Sequence, residues 1–116
     1  MFELTGWKGG SYGLKISCAD RDKHFPHQQK TIRLILAMPG GRTWQARANI
    51  DKPSFWNGTC REMIGQKIGE WMHAVGAAPW PKGKPPKFGA HLNDAGHLLV
   101  SCQNLREQGA VPDVQI

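Results

Sequence analysis

Between Lys30 and Ile50 the large apolar side chains fall on alternate positions, Ile32, Leu34, Leu36 and Met38 in one run and Trp44, Ala46, Ala48 and Ile50 in the next. A period of two marks strands with one buried face. Pro39-Gly40-Gly41 separates the runs. Both inward sets are even-numbered, so antiparallel partners must have an even sum, which a three-residue loop satisfies and a two-residue loop does not. Such loops commonly join a type I turn to a residue with positive φ, a role for Gly41, while Pro39 presets the φ before it. The predicted register pairs Leu36 with Trp44 and Leu34 with Ala46, and so sets Arg33 opposite Arg47 on the outer face. A like-charge cross-strand pair costs stability unless something negative lies over it.

The same alternation makes Tyr12 to Cys18 a first strand, with Tyr12, Leu14, Ile16 and Cys18 inward and Lys15 and Ser17 outward. The charged link that follows has room for one helical turn capped by Asp20 or Asp22. It ends at Phe25, which precedes proline, is therefore extended and is expected to plug the core. A helix is predicted from Thr59 to Val75, where Cys60, Met63, Ile64, Ile68, Trp71, Met72 and Val75 recur at spacings of three and four. Thr59 to Glu62 has the form of a capping box, and Gly76 stands where a left-handed C-cap belongs. Gly65 and Gly69 each cost such a helix roughly 1 kcal/mol against alanine. Their presence points to the close approach of another backbone or of a ring from Phe55 or Trp56. Pro79 to Lys87 fits neither helix nor central strand and reads as an exposed connector. A second hairpin follows, Lys87 to Leu92 and His97 to Cys102, joined by the turn-forming Asn93-Asp94-Ala95-Gly96.

The order strand, hairpin, helix, hairpin predicts an α+β fold: a small curved antiparallel sheet or open β-barrel of about five strands packed on one amphipathic helix. With 116 residues, 40% of them hydrophobic, the expectation is one compact domain over 1–102. Residues 103–116 are a tail that frays or adds an edge strand. No apolar run approaches the roughly 18 residues of a membrane span, and the first residues lack a signal peptide's basic and apolar regions, so the expected location is cytoplasmic. Cys18, Cys60 and Cys102 are odd in number and widely spaced, which favours buried thiols over disulfides.

Charge narrows the partner. Lys+Arg 15 against Asp+Glu 9 gives a net charge of +6, and residues 1–50 hold eight basic side chains against Glu3, Asp20 and Asp22. Such a balance favours polyanions. Glycine-rich phosphate loops, zinc-finger spacings, RNP motifs and a helix-turn-helix pair are all missing from the chain, so strands and loops must make any nucleic-acid contact. In that reading Lys15, Arg33, Arg47, Lys82 and Lys84 neutralise phosphates. Gln45 and Asn49, with Thr31 beside them, meet base edges, and Trp80 stacks or wedges. The plainer reading is a solvated sheet face and a Trp80 that caps the helix end.

Chemistry is less well marked. Asp20, Asp22, His24 and His27, with His73, His91 and His97 elsewhere, lack the spacing of a metal site, so no metal or cofactor is assigned. A metal-free ribonuclease needs only a general base and a cationic stabiliser, and the sequence puts no histidine near Arg33 or Arg47. Cys60 lies on the apolar stripe and reads as structural. The sequence therefore points to a small basic nucleic-acid-binding domain, with DNA favoured over RNA, no catalytic residue and an open oligomeric state. Two alternatives stand beside it: a small nuclease or ribonuclease toxin using His24 or His27, and a protein-binding module or inhibitor anchored on Trp7, Trp56 or Trp80.

Overall fold

The chain begins with an alternation of Phe2, Leu4 and Gly6 against Glu3, Thr5 and Trp7, which in the computed structural model forms β1 (Phe2–Lys8). The structure describes residues 1–25, 30–57 and 61–103. Sequence reading places no strand before Tyr12, because this stretch offers only two large apolar side chains on its inward side. β1 turns back through Gly9 and Gly10 into β2 (Tyr12–Ile16), with Leu4 opposite Ile16 and Gly6 opposite Leu14. β2 stops short of the predicted Cys18 because Ser17 leaves the sheet to cap α1 (Cys18–His24), its Oγ accepting the Asp20 N–H at 3.1 Å. The cap is thus Ser17 and not Asp20 or Asp22. Phe25 is extended and 3% exposed, and it plugs the core as expected.

β3 (Thr31–Ala37) and β4 (Thr43–Asn49) form the predicted hairpin in the predicted register, Leu36 with Trp44, Leu34 with Ala46 and Arg33 with Arg47. Its turn is of a different type. Gly40 sits at φ 85 and ψ 9, and the Gly41 N–H donates to the Met38 carbonyl at 3.3 Å. Pro39-Gly40 is therefore the centre of a type II turn, with Gly41 following at φ 87.

Beyond α2 (Pro53–Asn57), the predicted Thr59–Val75 helix is replaced by two elements, β5 (Glu62–Ile64) and α3 (Gln66–Ala74). Thr59 and Cys60 lie outside the described residues. Met63 still enters the core, but by strand alternation: it pairs with Leu14 while Glu62 and Ile64 take the other face of β5, where Glu62 is nonetheless only 6% exposed. Gly65 divides the elements with extended backbone, φ −172 and ψ 147. The ladder with β2 outweighs helix propensity across a segment that glycine already weakens. Gly69 does admit a ring, that of Tyr12 and not of Phe55 or Trp56: a Cβ on Gly69 would stand 3.2 Å from the Tyr12 Cβ. α3 ends as predicted at Gly76 (φ 78), where the Gly76 N–H reaches the His73 carbonyl and the Ala77 N–H the Met72 carbonyl, a Schellman motif.

The second hairpin consists of β6 (Lys87–Leu92) and β7 (Leu98–Val100). Asn93 organises its turn, Oδ1 accepting the N–H groups of Ala95 and His97. β7 then lies parallel to β3, Leu34 with Leu98 and Leu36 with Val100. The sheet is consequently mixed and seven-stranded, ordered β4-β3-β7-β6-β1-β2-β5, where about five antiparallel strands were expected. It curls nearly into a barrel. A methyl group on Gly65 would meet the Arg47 carbonyl oxygen at 3.4 Å, so the last strand returns to the first.

The interior holds Leu4, Leu14, Ile16, Ile32, Leu34, Leu36, Met63, Phe88 and Leu98, sealed by Trp71 and Met72 of α3. The Trp71 ring lies 4.9 Å from that of Phe88, and its indole N–H donates to the Ala37 carbonyl at 2.8 Å. Arg21 is buried as well, donating to the Phe55 carbonyl at 2.7 Å and pairing with Asp22. Cys18 and Cys102 are free thiols only half buried, contrary to the expectation of full burial; Cys60 is not among the described residues. Of the tail at 103–116, only Gln103 is described. No helix among the described residues is long and apolar enough to cross a membrane.

Candidate nucleic-acid interface

Burying the even-numbered side chains of β3 and β4 leaves Thr31, Arg33, Ile35 and Ala37, with Thr43, Gln45, Arg47 and Asn49, on the outer face. None of these eight is acidic. Arg33 is half-buried and stands opposite the exposed Arg47. Among the described residues neither guanidinium has a carboxylate partner, while Arg21 and Lys87 do. Two cations are therefore held side by side by backbone register, and no acidic side chain among the described residues pairs with either.

The parallel β3/β7 pairing adds a residue near this row. Leu34 stands opposite Leu98, so His97, the residue that precedes β7, enters the sheet at the Arg33 end of β3. One step toward the β3–β4 turn, register aligns Gln45, Ile35, Leu99 and His91 across four strands. Asn49 stands at the far end of β4, where its Oδ1 accepts the Asp51 N–H at 2.8 Å. Its amide NH2 is left as the group that can face a ligand.

The remaining predicted contacts lie elsewhere. Lys15 is on β2 in register with Glu62 and Thr5, close to the Lys87–Glu3 ion pair at 3.9 Å, in a patch of mixed charge. Trp80 is half-buried and packs edge-on against Tyr12, ring centroids 5.5 Å apart. Lys82 and Lys84 are exposed on the same connector, which reverses through Gly83 at φ 79 as the Lys84 N–H returns to the Pro81 carbonyl. The structure thus joins Arg33, Gln45, Arg47 and Asn49 on the β3–β4 hairpin, while Lys15 lies on β2, beyond β5, and Trp80, Lys82 and Lys84 lie on the connector. Asp20 bonds to Ser17, Asp22 to Arg21, and His24 stacks on Phe2 at 4.5 Å, so these three serve α1 and its packing. His27 lies outside the described residues.

What sequence reading missed is apolar. Ile35, Ala37, Leu99, Gly89, His91 and Ser101 line a shallow recess of about 210 Å³ on the outer face, directly beside the arginine row. A signal for it existed: Leu34-Ile35-Leu36-Ala37-Met38 and Leu98-Leu99-Val100 are unbroken apolar runs. Such runs mark strands with apolar side chains on both faces. His97 is brought to the Arg33 end of β3 only through a parallel pairing that no local pattern encodes. Comparison with protein-family models, with curated proteins and with solved structures yields no match, so the reading of this surface rests on its own chemistry.

Proposed function

We propose that this chain is a nucleic-acid-binding domain that takes the phosphate backbone on the outer face of β3 and β4. The observation that carries the reading is the in-register Arg33–Arg47 pair on a face whose β3 and β4 positions hold no carboxylate. A phosphate over the pair would turn a repulsion into two charge-assisted contacts. Gln45 and the Asn49 amide flank the pair as hydrogen-bonding groups for bases or sugars. The exposed Lys82 and Lys84 add a separate basic projection and contribute to non-specific attraction.

The test is binding of labelled duplex DNA and single-stranded RNA over a salt series, with products run on a denaturing gel. The expected result is affinity that falls steeply with salt and weakens when Arg33 and Arg47 are both replaced by alanine. Affinity unchanged in that double variant removes the face from the reading. A second function, metal-free ribonuclease, is favoured by one observation, the entry of His97 into β7 at the Arg33 end of β3, which would supply a general base near a cationic stabiliser. Cleavage of RNA but not DNA, lost in His97→Ala, would select it.

A further inference from the structure

We infer that the nucleic acid is single-stranded, with one unpaired base seated in the outer-face recess beside the arginine row; the inference rests on the proposed nucleic-acid reading. The recess is apolar and too small for a whole ligand. Its 210 Å³ lies below the roughly 300–1,000 Å³ of sites that enclose complete small molecules, so what enters is part of something larger. The remainder must lie along the surface.

Register fixes what that remainder meets. Ile35 is two residues from Arg33 and its partner Gln45 two residues from Arg47, so the recess and the cationic row are adjacent rungs, about 7 Å apart along the strands. That spacing suits the two ends of a nucleotide, a flat apolar ring in the recess and its anionic phosphate on Arg33 and Arg47. His91 and Ser101 on the lining, with Gln45 beside Ile35, supply polar groups for the ring's edges. An uncharged apolar partner would not use the arginines, and a purely backbone-binding face would not use the recess.

The shape then separates single strand from duplex. In a duplex the base edges lie several ångströms deep in the grooves and are reached by protein elements that protrude. The outer face presents a recess between strands, so the bases must come to it, as splayed bases of a single strand do. Ile35 and Leu99 offer a sequence-tolerant apolar floor, and the C5-methyl group of thymine suits it best.

The test compares three probes at low salt by fluorescence anisotropy: a short oligothymidylate, a duplex of equal length, and an oligonucleotide of equal length carrying abasic sites. The oligothymidylate is expected to bind about tenfold or more tighter than the other two. Ala37→Phe, which fills the recess, should bring it down to the abasic level and leave abasic binding unchanged. Equal affinity for oligothymidylate and abasic probe, or duplex bound as tightly as single strand, overturns the inference while leaving backbone binding intact. No binding of any probe overturns the nucleic-acid reading itself. The wild-type comparison stands even if Ala37→Phe fails to fold.

Discussion

Arg47→Glu is the substitution that best separates stability from binding, because it should move the two in opposite directions. In the wild type Arg33 and Arg47 are directly opposed across antiparallel strands. Cross-strand pairs contribute roughly 0.2–1 kcal/mol, favourable for unlike charges and unfavourable for like ones. Converting the pair from repulsive to attractive is therefore worth about 1 kcal/mol, discounted toward the lower end because Arg47 is exposed and salt screens it. For a chain of this length about 1 kcal/mol corresponds to a rise of roughly 3–6 °C in Tm. Binding should fall at the same time, since one cation is lost and an anion faces the phosphate. A lost charge-assisted contact costs about 1.5–3 kcal/mol, roughly ten- to a hundredfold in Kd. The slope of log K against log salt should shrink by about 0.7 or more. Calorimetry at low salt reads the first effect and an anisotropy titration over a salt series reads the second. A variant less stable than its parent would show that the opposed guanidiniums do not repel. An unchanged salt slope would remove this face from nucleic-acid binding.

The other expectations concern what holds the barrel. Trp71→Phe removes the donor to the Ala37 carbonyl and part of a fully buried ring, and should cost about 1–3 kcal/mol in urea unfolding. Arg21→Ala leaves the Phe55 carbonyl without its buried donor and should cost a similar amount, about 1–3 kcal/mol, because the loss unties α1 from α2. Gly13→Ala places a Cβ 2.8 Å from the Met63 carbonyl oxygen, so β5 must shift from β2 at a cost of about 1–3 kcal/mol. Gly10→Ala, with nothing within 4 Å of its added Cβ, should instead be neutral or stabilising by about 0.4–1 kcal/mol, and the pair of glycine variants is read by thermal melts.

The sequence was most legible where one local pattern decided the outcome. Strict alternation around Pro39-Gly40-Gly41 gave the β3/β4 register residue by residue, and with it the Arg33–Arg47 opposition. Gly76 gave the end of α3 because a left-handed C-cap is a local requirement. Reading failed where a distant strand chose between two locally acceptable structures. Met63 and Ile64 satisfy a helical stripe as well as a strand, and only the edge of β2 settles the choice. β1 was passed over because Phe2 and Leu4 alone make a weak pattern, yet it occupies the sheet between β6 and β2. The candidate site divides the same way: Arg33, Gln45, Arg47 and Asn49 were readable from parity, whereas the places of Lys15 on β2 and of Trp80 against Tyr12 required the strand order and the tertiary packing.

That order also explains why an apolar recess borders a cationic row at all. β7 sits between β3 and β6, so Leu99 is flanked by Ile35 on one side and His91 on the other. Had β3 been an edge strand, Ile35 would be one isolated apolar side chain on a polar face, which needs no explanation. Insertion of β7 parallel to β3 gathers it with Leu99 and Ala37 over the bare backbone of Gly89 and at the same time brings His97 to the Arg33 end of β3. Core formation does not demand this, because Leu98 and Val100 already fill the inner side of β7. The outward Leu99 and Ile35 add nothing to that interior, so if this face takes a single strand as proposed, loss of either the arginines or the recess should weaken the binding of oligothymidylate.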